Sequence, residues 1–207
     1  MIPPSPFLCV ITDDAFCPVT IAELALKGGA AIIQLRHKSA SGSQLFSWAV
    51  EISKLCQKYR GLCIINDRVD IAMASGADGV HLGQKDMPAD IARKLLGKKR
   101  IIGVSASSLE EALQAEKDGA DYIGFGHIYP TYSKEKGFPP LGPETLQNTA
   151  ALLSLPIIAI GGINIENAAS LISCGAAGVA VISAVSRTDE PLMAARELVS
   201  AIKRKYS

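Results

Sequence analysis

In the segment Gln34-Leu35-Arg36-His37-Lys38, an amide and two cations fall on alternate positions. If the backbone stays extended there, Gln34, Arg36 and Lys38 share one side, an arrangement suited to a di- or triphosphate or to a pair of carboxylates. Asp67 follows Ile65-Asn66, and Asp86 follows Gln84-Lys85, each just past an apolar run. Two such carboxylates can share one hard cation such as Mg²⁺, with waters and phosphate oxygens completing the octahedron. The plainer alternatives are that Asp67 pairs with Arg68 and that Asp86 caps a helix beginning near Pro88. Ser105 ends another apolar run and could bind phosphate or cap a turn. Thr131, Ser133 and Lys134 put two hydroxyls and a cation on a proline-rich segment that also holds His127 near its start. Gly161-Gly162, and then Ile182-Ser183, offer backbone N–H groups of the kind that cradle a monophosphate, or at Gly161-Gly162 a simple tight turn. Two anion sites facing each other suggest a transferase from which pyrophosphate leaves.

These residues need a scaffold that brings many strand ends together. Four Gly-Ala pairs (Gly29-Ala30, Gly76-Ala77, Gly119-Ala120 and Gly175-Ala176) each precede a short apolar run. The recurrence suits a helix closed by Gly with a strand following at once. Strands are predicted over residues 7–12, 31–36, 62–66, 79–83, 100–105, 122–126, 156–161 and 178–184. Between them the apolar positions step by three and four, as in Leu45, Trp48, Ala49, Ile52, Leu55 and Cys56. Ser108 before Glu110 and Glu111 reads as an N-cap with an acidic first turn, and Asn164 with Asn167 opens the seventh helix. Eight alternating units predict an α/β fold, a (β/α)8 TIM barrel forming a single domain over residues 1–207. An open doubly wound sheet would want GxGxxG after the first strand, where Thr12-Asp13-Asp14-Ala15 stands instead. The irregular stretch 128–143 is a candidate active-site lid.

Composition narrows the function class. The chain has 207 residues, is 48% hydrophobic and only 5% aromatic, and carries a formal charge of +1. Small and β-branched residues suit parallel strands buried on both faces. Near-neutral charge gives no footprint for nucleic acid or an anionic membrane surface. No apolar run is long enough for a bilayer, and the first six residues lack the features of a signal peptide. Five cysteines without CxxC spacing read as reduced thiols in a cytoplasmic protein.

Taken in order, several motifs become specific together. They are Gln34-Leu35-Arg36-x-Lys38, Ile65-Asn66-Asp67-Arg68, His81-Leu82-Gly83-Gln84-x-Asp86, Gly103-x-Ser105, Pro130-Thr131-x-Ser133-Lys134, Ala159-Ile160-Gly161-Gly162-Ile163 and Val181-Ile182-Ser183-Ala184. Over essentially its whole length the chain resembles the thiamine phosphate synthases and their TenI-type paralogues. The resemblance implies joining of 4-amino-5-hydroxymethyl-2-methylpyrimidine diphosphate to a thiazole monophosphate with loss of pyrophosphate. It implies that Gln34, Arg36, Lys38, Asn66 and Lys134 hold the pyrimidine diphosphate, that Ser105 contacts the pyrimidine substrate, and that Asp67 and Asp86 ligate Mg²⁺. Thr131, Ser133, Gly162, Ile182 and Ser183 would hold the thiazole phosphate. Arg36 and Lys134 would assist the chemistry by neutralising the departing diphosphate, so no protein nucleophile is required. Small phosphorylated thiamine precursors are the expected partners, and a homodimer follows by family analogy only. One departure stands out: the synthases usually carry Pro where this chain has His127. A His there resembles the thiazole tautomerases, in which it moves a proton. Tautomerase activity through His127, or a non-catalytic precursor-binding paralogue, are the alternative readings.

Overall fold

All eight predicted apolar runs form strands in a computed structural model, which describes residues 1–131 and 137–204. The strands are β1 (Phe7–Ile11), β2 (Ile32–Leu35), β3 (Leu62–Asn66), β4 (Gly79–Leu82), β5 (Ile101–Ala106), β6 (Tyr122–Gly126), β7 (Ile157–Ile160) and β8 (Gly178–Val181). Between them lie α1 (Pro18–Lys27), α2 (Gly42–Tyr59), α3 (Val69–Ala74), α4 (Ala89–Leu96), α5 (Leu109–Lys117), α6 (Gly142–Ala150) and α7 (Ala168–Ser173). The short α8 (Ser183–Ser186) and the longer α9 (Pro191–Lys203) follow β8. Every strand pairs in parallel with its sequence neighbours, and β8 closes on β1 with Cys9 opposite Ala180. The expected (β/α)8 barrel is the observed one.

Three of the four Gly-Ala pairs work as helix stops, whereas α3 is closed at Ser75 before Gly76-Ala77 is reached. Gly29, Gly119 and Gly175 have φ of +98°, +87° and +93°, a region that costs an L side chain dearly. After each of them the alanine N–H turns back to a carbonyl five residues earlier: Ala30 to Ala25, Ala120 to Ala115 and Ala176 to Leu171. This is the closing bond of a Schellman turn, and the strand begins at once.

Period-two alternation splits the apolar residues into two layers. Leu8, Val10, Ile33, Ile65, Val80 and Ile123 face the helices and join the outer core with residues such as Ile21, Ala49 and Ile52. Phe7, Cys9, Ile11, Ile32, Ile64, Ile101, Tyr122, Ile158 and Ala180 fill the barrel interior. Helix α9 packs on α1 and β1, and its Ala195 lies so close to Gly28 that a Cβ added there would stand 2.6 Å from the alanine methyl. At the N-terminal ends of the strands, Arg93 donates to the carbonyls of Gly97, Arg100 and Gly119 and to the Asp121 carboxylate, which also accepts the Ile102 N–H.

Most strand ends fall within one residue of expectation, α7 begins at Ala168 rather than at Asn164, and two departures bear on the site. Strand β8 stops at Val181 rather than running to 184, because Ile182 (φ −114°, ψ −84°) leaves the extended region and starts α8. Strand β2 ends at Leu35, so the extended run does not carry through Lys38. The described residues on either side of 132–136 are tied together at the barrel mouth. Ile128 and Tyr129 N–H continue the ladder to Ile160 and Gly161, and Leu141 and Gly142 N–H return to the His127 and Ile128 carbonyls. The predicted site residues Ser133 and Lys134 lie outside the described residues. All five cysteines are free thiols, and burial pushes Cys9 up to about 12. Among the described residues no helix is long and apolar enough to cross a membrane.

Candidate active site

A cavity of about 530 Å³ opens at the C-terminal ends of the strands. Its wall continues the inward parity of each strand past the apolar layer. Ile32 is followed by Gln34 and Arg36, Ile64 by Asn66, Ile101 by Ser105, and Ala180 by Ile182. The Gln34 side-chain amide donates to Asn66 Oδ1 at 2.8 Å, crossing from β2 to β3. The Arg36 backbone is held by a fully buried hydroxyl. Thr12 Oγ1 accepts from the Arg36 N–H and donates to the Arg36 carbonyl, both at 2.9 Å. This pair of bonds carries the arginine into the cavity after β2 has ended.

Lys38 is not brought with it. It is exposed and absent from the cavity wall, because the chain turns after Leu35 and the Lys38 N–H is taken by Asp14 Oδ1 at 2.9 Å. The expected row of three is therefore a row of two.

Asp67 and Asp86 stand on the same rim, beyond neighbouring strands. Asp67 adopts a left-handed backbone (φ +62°) with its N–H on the His81 carbonyl at 2.8 Å. Asp86 folds back so that Oδ2 accepts the Gly83 N–H at 2.7 Å. Neither plainer alternative holds. Arg68 gives its fork to Asp70 at 2.8 and 2.6 Å, and helix α4 starts after Pro88 with no side-chain cap. Among the described residues no three His, Cys, Asp or Glu side chains cluster closely enough to hold a metal by themselves. An ion on this rim would have to complete its shell from water and a ligand's oxygens, as Mg²⁺ commonly does.

The opposite wall comes from β6, β7 and β8. His127 is buried, and its ring packs on Phe138 with centroids 5.1 Å apart. Thr131, Gly161, Gly162, Ile182 and Ser183 line the same cavity. Gly161 (φ +102°) and Gly162 (φ +66°) lie tight against residues 127–130, where a Cβ on Gly162 would meet that of Tyr129 at 2.8 Å. The Gly162 carbonyl is fixed by Asn167 Nδ2 at 3.0 Å.

Three cavity residues were not among those singled out from sequence. His81 links Tyr122 Oη and Ser105 Oγ, each 2.9 Å from one ring nitrogen. Inward parity would have found both: His81 lies two residues past Gly79, and Tyr122 heads the β6 positions that face the axis. Arg187, just past α8, adds a second cation to the wall, with Nε 3.4 Å from the buried Asp13 carboxylate. Its position depends on the turn after β8 and leaves no local sequence signal.

A family described as thiamine monophosphate synthase matches residues 8–185. The thiamine-phosphate synthase of Chlorobium limicola is 61% identical over 204 residues, covering 99% of this chain and 97% of that protein. That of Chlorobium phaeovibrioides is 62% identical over 199 residues, covering 96% and 95%. Among solved structures, thiamine phosphate pyrophosphorylase from Pyrococcus furiosus is similar with a TM-score of 0.89 and 40% identity, over 95% of each chain.

Proposed function

The chain belongs to the thiamine monophosphate synthase family, and from that premise we propose that it joins 4-amino-5-hydroxymethyl-2-methylpyrimidine diphosphate to a thiazole monophosphate, giving thiamine phosphate and pyrophosphate. The observation that carries the reading is one cavity with two unlike polar walls. Gln34, Arg36 and Asn66 stand on the β2–β3 side, and Gly162, Ile182 and Ser183 on the β7–β8 side. Two phosphorylated reactants can face each other across such a space.

In this reading Arg36 grips the diphosphate with its planar fork, and Lys134 adds a second charge as the leaving group departs. Lys38, exposed and outside the cavity wall, is left a peripheral electrostatic role. Gln34 and Asn66, already bonded to each other, present fixed amide groups to the pyrimidine diphosphate, and Ser105 offers a hydroxyl to the same substrate. Thr131, Ser133, Gly162, Ile182 and Ser183 hold the thiazole phosphate with hydroxyl and backbone N–H donors. The rim carboxylates Asp67 and Asp86 have the hard oxygen chemistry that Mg²⁺ prefers, and they would hold it. When bound, Mg²⁺ supplies charge neutralisation to the diphosphate. Electron release from the aminopyrimidine lets the carbon–oxygen bond break before the thiazole nitrogen adds, so the residues act by positioning and electrostatics.

One observation favours a second reading: His127 is buried in the cavity wall, where its imidazole could relay a proton on a thiazole ring. Both readings are tested by supplying the two substrates with Mg²⁺ and following thiamine phosphate and pyrophosphate. Synthase activity predicts both products in equal amounts and their loss with chelator. A protein inert toward the pyrimidine diphosphate, yet active without metal in His127-dependent thiazole isomerisation, would overturn the synthase reading.

A further inference from the structure

The chain of bonds Tyr122–His81–Ser105 has a direction, set by its deepest member. Tyr122 is 2% exposed inside the barrel, and among the described residues its hydroxyl makes one hydrogen bond, to His81 Nδ1. The hydroxyl carries a single proton, since burial holds its pKa well above the usual tyrosine value. If Nδ1 were the donor, that hydroxyl proton would be buried without an acceptor, a costly arrangement. The arrangement that satisfies every donor has Tyr122 donating to Nδ1. A neutral imidazole with an accepting Nδ1 carries its proton on Nε2, and Nε2 stands 2.9 Å from Ser105 Oγ. Ser105 then accepts from His81, and its own proton is turned toward the cavity.

We infer that Tyr122, acting through the Nε2–H tautomer of His81, sets Ser105 as a hydrogen-bond donor toward an acceptor atom of the pyrimidine diphosphate. The inference rests on the proposed function only for the identity of that ligand. Tyr122 and His81 are here positioning residues, and neither needs to touch the reacting atoms. The surrounding strands make room for them. A Cβ on Gly103 would overlap the Tyr122 ring, and one on Gly124 would stand 2.8 Å from His81 Cε1. Replacing either glycine would disturb the two bonds. The Gln84 side-chain amide donates to the Ser105 carbonyl at 2.6 Å, which fixes the backbone from which the hydroxyl projects.

Long-range ¹H–¹⁵N correlations on the ligand-free protein read the tautomer directly, with His81 identified by the signal lost in His81→Asn. A proton on Nε2 and a bare Nδ1 are expected. A proton on Nδ1, or on both nitrogens, overturns the inference without reference to any activity. Tyr122→Phe should then give a mixture of tautomers and raise KM for the pyrimidine diphosphate about tenfold, the effect of one hydrogen bond. KM for the thiazole phosphate should change less than about twofold. On a Ser105→Ala background, Tyr122→Phe should cost nothing further. An equal loss on both backgrounds would show that Tyr122 merely packs, and would overturn its link to Ser105. If the protein made no thiamine phosphate at all, the synthase reading would fail while the tautomer measurement still decided this one.

Discussion

Thr12→Val removes one hydroxyl and keeps the side chain's branched shape. In the native protein that hydroxyl accepts from the Arg36 N–H and donates to the Arg36 carbonyl, both at 2.9 Å, with Thr12 wholly buried. Valine leaves both backbone groups without a partner. Each orphaned group costs about 1–3 kcal/mol when fully buried. Arg36 is only half-buried, so the low end applies, and the loss of stability should be about 2 kcal/mol. For a chain of this size that lowers Tm by roughly 4–8 °C. The functional effect should be confined to one substrate. Once the backbone at Arg36 is released, the guanidinium loses its aim, and misplacement by about 1 Å can cost up to 10²-fold in rate. We expect kcat/KM for the pyrimidine diphosphate to fall about 10–100-fold. KM for the thiazole phosphate should stay within about twofold, because no bond on that wall is touched. Thermal unfolding by circular dichroism and steady-state kinetics with each substrate varied in turn would measure both effects. Thr12→Ser, which keeps the hydroxyl, should recover most of each. A valine variant that melts and turns over like wild type would refute the idea that Thr12 aims Arg36.

Three further outcomes are expected. Asp67→Asn should weaken Mg²⁺-dependent turnover at least about 100-fold, since even outer-shell partners cost 10–100-fold, and should leave thiazole phosphate binding by calorimetry nearly unchanged. His127→Asn should keep pyrophosphate release largely intact in a continuous phosphate-coupled assay. Any thiazole isomerisation by the protein should fall about 10²–10⁴-fold in the same variant. Arg93→Ala, at the far end of the barrel, strips donors from three carbonyls and Asp121 and should cost about 2 kcal/mol in urea denaturation with kinetics unaltered.

The strands were readable because parallel strands buried on both faces must be apolar at nearly every position, and runs such as 156–160 and 178–184 hold little else. Their ends were less sharp. Where β8 stops depends on the backbone at Ile182, and where β2 stops depends on how Asp14 captures the Lys38 N–H, a contact between residues 24 apart in sequence. Site residues that continue a strand's inward parity (Gln34, Arg36, Asn66, Ser105) were visible from alternation and motif spacing together. His81 and Tyr122 share that parity, but each sits within an apolar strand and reads as core when taken alone. Thr12 and Arg187 act through tertiary contacts with no local signature. The motif order, more than any single residue, connected the chain to its family.

The closure of the sheet puts one unequal joint in the ring. Seven of the eight strand pairings join elements adjacent in sequence, while β1 and β8 join the two ends of the barrel, with Cys9 facing Ile32 on one side and Ala180 on the other. Closing the longer loop costs roughly 2 kcal/mol more in chain entropy than closing the shorter one. On loop-closure entropy alone, that contact is the costliest of the eight to form. Helix α9 lies across this seam, packed on α1 and β1. The C-terminal helix thereby serves as a latch on the N-terminal strand, and the cavity wall near Ile182, Ser183 and Arg187 hangs on the strand beside it. Hydrogen exchange along β1 and β8 would therefore report on the integrity of the phosphate-facing wall as well as on the fold.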